Sequence, residues 1–174
     1  MRQVPSSDSA YLDEHARALG CLIGTFQSLE LVVRTVLYSR RDPPHTGFRF
    51  RSSMSHLTPG DLVPENAYTS FDTLGQLIAR FNSIAAKRSP AAMIDTTIVS
   101  VRDALAHGRV WSDTPGPPLH LLKFSKPNDG MVRVQFAEVM SIAWLDTQTQ
   151  RVQSELLKAT QLLQKRSRKK RKKR

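Results

Sequence analysis

The sequence predicts a mainly α-helical fold, with four main helices and a small antiparallel β insertion between the third and the fourth. Apolar residues recur every three or four positions in the stretches that precede residue 40, follow residue 70, precede residue 108 and follow residue 138. Between residues 109 and 136 the pattern changes to short alternating runs, which are typical of strands. The length of 174 residues suits a single domain, which we place at residues 9–164.

The first helix is predicted to run from about Ser9 to about Ser39. Ser9 suits an N-cap, and the acidic residues after it favour the helix dipole. A second stripe holds one small residue every four positions, two of them glycines, which each cost about 1 kcal/mol relative to alanine. The stripe indicates either a second backbone close by or a kink at Gly20. The apolar face comprises Leu19, Leu22, Ile23, Phe26, Leu29, Val33, Val36 and Leu37, and the stripe comprises Ala16, Gly20, Gly24 and Ser28.

Residues 40–69 show no sustained period and are rich in proline and glycine. A connection of this length is uncommon in a compact domain, so we expect it to be functional or unstructured. Basic residues interleaved with aromatic ones can hold unpaired RNA by charge and stacking. The alternative is a loop that packs two phenylalanines onto the helices. The residues concerned are Arg40, Arg41, Arg49 and Arg51, with Phe48 and Phe50 among them.

Two further helices are predicted before residue 108. The second begins at a cap on Thr69, with Asp72 three residues later, and ends near Lys87. The third begins at Ser89-Pro90, because proline fits the first helical position, and Gly108 ends it. Their apolar faces comprise Phe71, Leu74, Ile78, Phe81 and Ala85 for the second helix, and Ile94, Ile98, Val101 and Leu105 for the third.

The β insertion, residues 109–136, is predicted to hold three short strands at 109–112, 119–125 and 131–136, with a turn at 126–130. Trp111 in the first strand can stack a nucleic-acid base, but we expect it in the core, where strand tryptophans usually lie. The closing helix begins between Glu138 and Ser141 and continues to the basic tail.

The net charge of +11 is concentrated in residues 165–174, where nine of ten residues are basic. The other 17 basic residues nearly balance the 15 acidic ones. We expect this tail to be unstructured and residues 1–8 to be flexible. The tail would bind RNA or an anionic membrane through phosphate neutralisation, or would only raise solubility. Lys169, Lys170 and Arg171 are its candidate RNA contacts.

The single cysteine, Cys21, excludes a disulfide within the chain, and no zinc-binding cysteine spacing is present. The N-terminal segment lacks the features of a secretory signal, and we expect no segment to cross a bilayer. The sequence therefore predicts a cytoplasmic protein without membrane association, and it indicates no metal or cofactor.

The segment 101–108 combines Arg102, Asp103 and His107. Arginine can clamp a phosphate with two hydrogen bonds, and histidine exchanges protons near neutral pH. Five helical steps separate Arg102 from His107 by about 140°, so one chain brings them together only if the helix unwinds. Otherwise two chains must pool their motifs at a two-fold axis. As structural alternatives, His107 caps helix carbonyls and Arg102 pairs with Asp103 or Glu30.

This pattern of arginine, polar residue, three residues and histidine, at the end of a third helix, resembles the motif of HEPN domains. That family of four-helix bundles includes many metal-independent ribonucleases. The segment 29–34, Leu-Glu-Leu-Val-Val-Arg, also resembles the first helix of bacterial members. The resemblance covers about residues 10–165. It implies a four-helix HEPN-like bundle and a homodimer whose two motifs line one cleft.

The resemblance also implies a reaction, in which a 2′-OH of RNA attacks the phosphate and leaves a 2′,3′-cyclic phosphate. His107 would act as general base, and Arg102 would stabilise the negative charge on phosphorus. Asp103 would orient one of them, and Arg109 would add a phosphate contact. Many members have asparagine where this chain has Asp103, and an acid there would repel RNA.

The cellular role implied by the resemblance is that of a toxin or a phage-defence effector, with an antitoxin or another regulatory protein as partner. The alternative from a different class is a non-catalytic RNA- or protein-binding module that keeps the bundle and the basic tail. A third is a structural protein whose tail only raises solubility.

Overall fold

The computed structural model describes residues 7–41, 56–113 and 116–171, and within them the chain forms four α-helices and one three-stranded sheet. The three strands lie between the third and fourth helices, which confirms the predicted mainly helical fold and its β insertion. In chain order the elements are α1 (Ser7–Arg41), α2 (Leu74–Arg88), a 3₁₀ turn (Pro90–Ala92), α3 (Ile98–His107), β1 (Arg109–Trp111), β2 (His120–Phe124), β3 (Val134–Val139) and α4 (Ile142–Arg171).

The chain divides into two compact units, and α1 and α4 each contribute to both. The first unit comprises Met1–Leu29 and Asp95–Leu157, and the second comprises Glu30–Ile94 and Lys158–Arg174. Each unit has its own set of fully buried large side chains. In the first unit these are Leu22, Leu29, Ile98, Leu121, Met140, Leu145 and Val152. In the second unit they are Val33, Leu77, Ile78 and Phe81.

The first helix buries one face in the way its period predicts, with the exception of Ile23, which is exposed. Gly20 and Gly24 are exposed too, and a Cβ atom added to either would meet nothing within 4 Å. No second backbone therefore approaches the small-residue stripe at these two glycines within the part of the chain that the structure describes. Packing among the described residues therefore does not account for the two glycines of the stripe.

The second helix begins at Thr73, and the predicted cap at Thr69 is wrong. The Gln76 N–H donates to Thr73 Oγ1 at 3.3 Å, and the Thr73 N–H donates to Gln76 Oε1 at 2.8 Å, which completes a capping box. Asp72 cannot serve as the box acid of Thr69, because its carboxylate binds the Arg80 guanidinium. Phe71 precedes the helix and is fully exposed, contrary to its predicted place on the apolar face.

Arg34 organises the segment that leads into α2. Its side chain is 12% exposed, and Nε donates to Glu30 Oε1 at 2.9 Å. Its other nitrogens donate to the carbonyl oxygens of Ala67 at 2.8 Å, Ser70 at 3.2 Å and Asp72 at 3.2 Å. The end of the predicted long loop is thus held by one arginine. Residues 42–55 of that loop lie outside the described residues.

The third helix begins at Ile98, eight residues later than predicted. The reason is that the Asn82 side chain forms hydrogen bonds with the backbone of Ile94, before the helix. Asn82 Oδ1 accepts the Ile94 N–H at 2.8 Å, and Asn82 Nδ2 donates to the Ile94 carbonyl at 2.8 Å. Ile94 therefore has no free N–H for a helical ladder. The proline signal at Ser89-Pro90 yields only the short 3₁₀ turn.

The sheet is antiparallel in the order β1-β2-β3. The third strand begins at Val134, later than predicted, because the Asn128 and Met131 backbones pair across the turn at 2.8 and 3.0 Å. This turn uses Gly130 at φ +76°, a conformation that favours glycine. Glu138, predicted as a possible helix start, pairs with Leu121 inside the sheet. The closing helix begins at Ile142.

The closing helix extends to Arg171, so the helical backbone includes seven residues of the segment 165–174 that the composition predicts to be unstructured. The rise of 1.5 Å per residue makes this extension about 10 Å long. Helix formation there requires no apolar face, because the extension continues a helix that is already nucleated.

Among the residues that the structure describes, one helical stretch, Ser9–Ser39, has the length and composition that crossing a membrane requires. A core helix of a soluble protein and a signal sequence meet the same two criteria, so one such helix is a weak indication. The expectations of a cytoplasmic protein, of no membrane association and of one domain at residues 9–164 stay predictions.

Candidate active site

Arg102, Asp103 and His107 all lie in α3, which ends where Gly108 was predicted to stop it. The Gly108 N–H donates to the Ala104 carbonyl at 2.7 Å, so the last turn is closed. The helix stays regular through His107 and does not unwind. Arg102 and His107 are therefore about 140° apart around its axis, and one chain does not place them on the same face.

Gly108 is required by close approach. A Cβ atom at this position would lie 2.3 Å from the Ala104 oxygen and 2.9 Å from the Leu122 oxygen of β2. Its φ of −77° is open to any residue, so the requirement is one of space rather than of backbone conformation. The lack of a side chain lets β1 start directly at the helix end, which fixes the position of His107 relative to the sheet.

Asp103 contacts two cations. Its Oδ1 lies 3.6 Å from Arg102 Nη1, and its Oδ2 lies 3.8 Å from Lys123 Nζ of β2. Asp103 therefore contacts Arg102, as the structural alternative also predicts, and no hydrogen bond joins it to His107 within the described residues. Glu30, the other acid considered for Arg102, binds Arg34 instead.

Lys123 is the member of this cluster that the sequence analysis missed. Its position in the strand pattern gives the only signal, because Lys123 and the buried Leu121 are two residues apart and therefore share one face of β2. Two cations around one carboxylate give the cluster a net positive charge. An anionic ligand is therefore attracted to it in spite of the acid.

His107 is exposed at the C-terminal end of α3. Within residues 7–41, 56–113 and 116–171, no side chain or backbone group forms a hydrogen bond or an ion pair with its imidazole. The predicted alternative, a cap on the helix carbonyls, is not observed, since the Gly108 N–H caps Ala104. The ring is therefore available to a ligand.

Two residues that follow the motif face solvent. The Arg109 guanidinium carbon lies 5.6 Å from the centre of the Phe124 ring, a cation–π contact. Trp111 is 60% exposed, so the expectation that it lies in the core is wrong. The physical reason is that β1 is a three-residue edge strand. The indole N–H of Trp111 donates to Asp113 Oδ1 at 2.9 Å.

The other predicted RNA contacts are distributed between elements. Arg109 belongs to the same unit as the motif, whereas the end of α1 and the end of α4 belong to the second unit. Arg40 and Arg41 are the last residues of α1, Lys169, Lys170 and Arg171 are the last residues of α4, and Arg49 and Arg51 lie outside the described residues. In the described part of the chain, no group of three or more His, Cys, Asp or Glu side chains is arranged to hold a metal ion.

Comparison with models of protein families, with curated proteins and with solved structures finds no match for this chain. The HEPN resemblance of the motif stays a prediction, and so does the specific bundle arrangement that it implies.

Proposed function

We propose that this chain is a metal-independent endoribonuclease of the HEPN type, in which His107 and Arg102 carry out the cleavage of RNA. The observation that supports this proposal most directly is that the His107 side chain is exposed and has no hydrogen-bond partner among the described residues. Its imidazole is exposed and unengaged by any described residue, at a helix end beside a cluster of two cations and one carboxylate. A buried or hydrogen-bonded histidine at this position would have favoured a structural role.

In the proposed reaction, His107 accepts the proton of a ribose 2′-OH, and the freed oxygen attacks the adjacent phosphorus. The bond from phosphorus to the 5′ oxygen breaks, and a second histidine returns a proton to that oxygen. The products are a 2′,3′-cyclic phosphate and a 5′-hydroxyl. Arg102 stabilises the additional negative charge on phosphorus in the transition state. DNA lacks the 2′-OH and is not a substrate.

The proposed site is formed by two copies of the chain. Because α3 is regular, Arg102 and His107 of one copy diverge around the helix. Two-fold pairing of the motif faces places Arg102 of one copy beside His107 of the other, and it supplies the second histidine. Cleavage is thus expected only from the homodimer.

Asp103, the acid beside Arg102, would repel RNA if no cation offset its charge. Lys123 lies 3.8 Å from Asp103 and offsets its charge. The predicted consequence is that Lys123→Ala lowers cleavage through weaker RNA binding, whereas Lys123→Arg retains it.

The experiment is a cleavage assay on labelled RNA in EDTA with wild type and His107→Ala. His56→Ala is the matched control, because His56 is also exposed and lies in the other unit. We expect His107→Ala to lose at least about 10²-fold in rate, the usual contribution of a general base, and His56→Ala to cleave like wild type. Equal cleavage by all three proteins contradicts the proposal.

A complementation assay tests the two-copy site. Arg102→Ala and His107→Ala chains are each inactive under the proposal, but mixed dimers hold one intact arginine and one intact histidine in the shared cleft. Such a dimer lacks the second histidine, so mixing is expected to restore only the part of the cleavage in which water protonates the 5′ oxygen. No restoration, with mixed dimers demonstrated, would show that the reaction needs both histidines or that Arg102 and His107 act from the same chain.

A second candidate function is a non-catalytic RNA-binding module. The observation that favours it is the continuation of α4 to Arg171, which carries the basic run on a helical backbone. Deletion of residues 165–174 is then expected to weaken RNA binding and to flatten its dependence on salt. This candidate predicts no cleavage and no effect of His107→Ala.

The proposed cellular role, a toxin or phage-defence effector controlled by an antitoxin or other regulatory protein, follows from the family resemblance. Expression of the wild-type chain is expected to arrest growth of a bacterial host. Expression of His107→Ala at the same level is expected not to. Growth arrest by both chains would separate toxicity from RNA cleavage.

A further inference from the structure

The sheet has one face against the helices of its own unit. Leu121 is buried on this inner face, and Lys123 on the same face reaches Asp103 of α3. Phe136, the cross-strand partner of Lys123, packs edge-on against Trp144 of α4, with 6.4 Å between the ring centres. Residues that alternate with these along each strand point to the opposite side.

The opposite side, which we name the outer sheet face, is open to solvent. The register aligns Trp111 with His120 and Val139 in one row, and Arg109 with Leu122 and Ala137 in the next. Within the described residues Trp111 and Val139 remain exposed, so no element covers this face. The outer sheet face comprises Arg109, Trp111, His120, Leu122, Phe124, Ala137 and Val139.

The composition of the outer sheet face matches single-stranded nucleic acid. Its seven residues include two aromatic rings, an imidazole and one arginine, and no carboxylate. Aromatic rings stack with bases of any sequence, and arginine adds positive charge and a planar stacking surface. The Arg109 guanidinium carbon already lies over Phe124, 5.6 Å from the ring centre, in a cation–π contact. Asp113 is the nearest carboxylate in sequence, and it accepts the indole N–H of Trp111 at 2.9 Å, which restrains the ring.

The outer sheet face begins directly at the candidate active site. Only Gly108 separates His107 from the start of β1. Four residues span no more than about 14 Å, so the Cα atom of Trp111 lies within that distance of His107. Arg109 and Trp111 are two residues apart on the same side of β1, which places them about 7 Å from each other. An RNA strand held on this face would therefore pass close to His107.

We propose that the outer sheet face binds single-stranded RNA, with one base stacked on Trp111 and a neighbouring nucleotide on the Arg109–Phe124 pair. The choice of RNA over other single strands rests on the proposed function. The face positions the strand so that a phosphate next to the stacked bases reaches His107. The chain thereby cleaves unpaired RNA in preference to duplexes, whose bases are not free to stack on protein side chains.

The test measures binding apart from cleavage. A fluorescein-labelled 2′-O-methyl oligonucleotide has no free 2′-OH to attack, so the full chain can be titrated with it by fluorescence anisotropy. Trp111→Ala is compared with Val110→Ala, the adjacent residue in the same strand, which is 55% exposed and points to the other side of the sheet. We expect Trp111→Ala to raise Kd about 5- to 100-fold, the range for one lost base stack, and Val110→Ala to change it less than twofold. Equal affinities of the two variants overturn the proposal.

Two further measurements distinguish the loss of a base contact from misfolding of the Trp111→Ala variant. Trp111→Phe keeps an aromatic ring, and it is expected to bind closer to wild type than Trp111→Ala does. In a Trp144→Phe background Trp111 is the only tryptophan, and addition of the oligonucleotide is expected to quench its fluorescence. Unchanged fluorescence at saturating oligonucleotide overturns the proposal.

A different occupant of the face gives a different result. If a second copy of the chain covers it, light scattering will show that Trp111→Ala turns a dimer into a monomer while the oligonucleotide affinity is unchanged, and the RNA proposal fails. The inference and the proposed function also fail separately. If Trp111→Ala binds the oligonucleotide more weakly and His107→Ala still cleaves fully, the result supports RNA binding at the outer sheet face and refutes the catalytic role of His107. Unchanged binding by Trp111→Ala, together with loss of cleavage in His107→Ala, refutes RNA binding at the outer sheet face and leaves the proposed function intact.

Discussion

Arg34 and Arg102 each form an ion pair with an acid of their own helix, but they differ in what their remaining donors do. Arg34 is 12% exposed, and in addition to Glu30 it binds three backbone carbonyls of the segment before α2. Arg102 is 34% exposed, and its contact with Asp103 is long at 3.6 Å. An arginine whose donors are all used by its own chain stabilises the fold, whereas one with spare donors can bind a phosphate.

The spacing of each pair accounts for part of this difference. Glu30 and Arg34 are four residues apart and lie on one face of α1, so their side chains meet directly. Arg102 and Asp103 are adjacent and diverge around α3, so the acid reaches across to Lys123 as well. The spacing thus accounts for the direct pair of Glu30 with Arg34, whereas the contacts of Arg34 with backbone carbonyls depend on the tertiary fold.

The largest expected effect concerns function at Arg102. Arg102→Ala is predicted to lower the rate of RNA cleavage by about 10²- to 10³-fold, because it removes stabilisation of the transition-state charge. The free energy of unfolding is predicted to fall by less than about 0.5 kcal/mol, since the ion pair is partly exposed. Cleavage kinetics and urea unfolding of the same preparation check both. A large loss of stability would mean that Arg102 is structural like Arg34.

Arg34→Ala is predicted to have the opposite profile. It leaves three carbonyls and Glu30 without their donor in a half-buried setting, so the free energy of unfolding falls by about 2–4 kcal/mol. Urea denaturation measures this change, with Arg17→Ala as control, because Arg17 is an exposed residue of the same helix with a 3.8 Å surface pair. Similar stabilities of the Arg34 and Arg17 variants would remove the contrast between the two arginines.

The junction next to His107 is predicted to be the least tolerant backbone position near the site. Gly108→Ala places a Cβ atom 2.3 Å from the Ala104 oxygen and 2.9 Å from the Leu122 oxygen of β2, so the helix end must shift and move away from β2. We expect a loss of about 2 kcal/mol in the free energy of unfolding, together with weaker cleavage because His107 is displaced. Denaturation and cleavage by a stable preparation test the two parts. Wild-type values in both would show that the junction is looser than this geometry indicates.

The smallest expected effect is a gain in stability on α1. A Cβ atom at Gly20 meets nothing within 4 Å, so Gly20→Ala is predicted to raise the free energy of unfolding by about 0.5–1 kcal/mol through helix propensity alone. Gly20→Ala and Gly108→Ala therefore change stability in opposite directions in the same assay. A loss at Gly20 would reveal a contact there that the isolated chain does not contain.

The sequence predicts those parts of the fold in which a hydrophobic repeat continues over many residues, or in which a local glycine or turn residue marks the end of an element. The two long helices, the stop at Gly108 and the three strands are of this kind. It does not predict that the side chain of Asn82 captures Ile94 and delays α3, because the two residues are twelve positions apart. It misplaces the start of α2 because Thr69 and Thr73 both carry capping signals, and the capping box forms between Thr73 and Gln76.

The candidate site is predictable to a similar extent. The placement of Arg102, Asp103 and His107 in the last turns of a helix follows from the apolar period and the glycine stop. The role of Lys123 depends on how β2 lies against α3, and the exposure of Trp111 depends on β1 being an edge strand. Both depend on how a strand is placed against its neighbouring elements, which a residue pattern within one strand does not encode.

The most direct test of the central claim is the identity of the RNA ends that the chain produces. Labelled single-stranded RNA is incubated with wild type and His107→Ala in EDTA, and the termini of the products are determined by mass spectrometry. The account predicts 2′,3′-cyclic phosphate and 5′-hydroxyl ends with wild type, and intact RNA with His107→Ala. Products with 3′-hydroxyl and 5′-phosphate ends, or the same cyclic ends from both proteins, would contradict it.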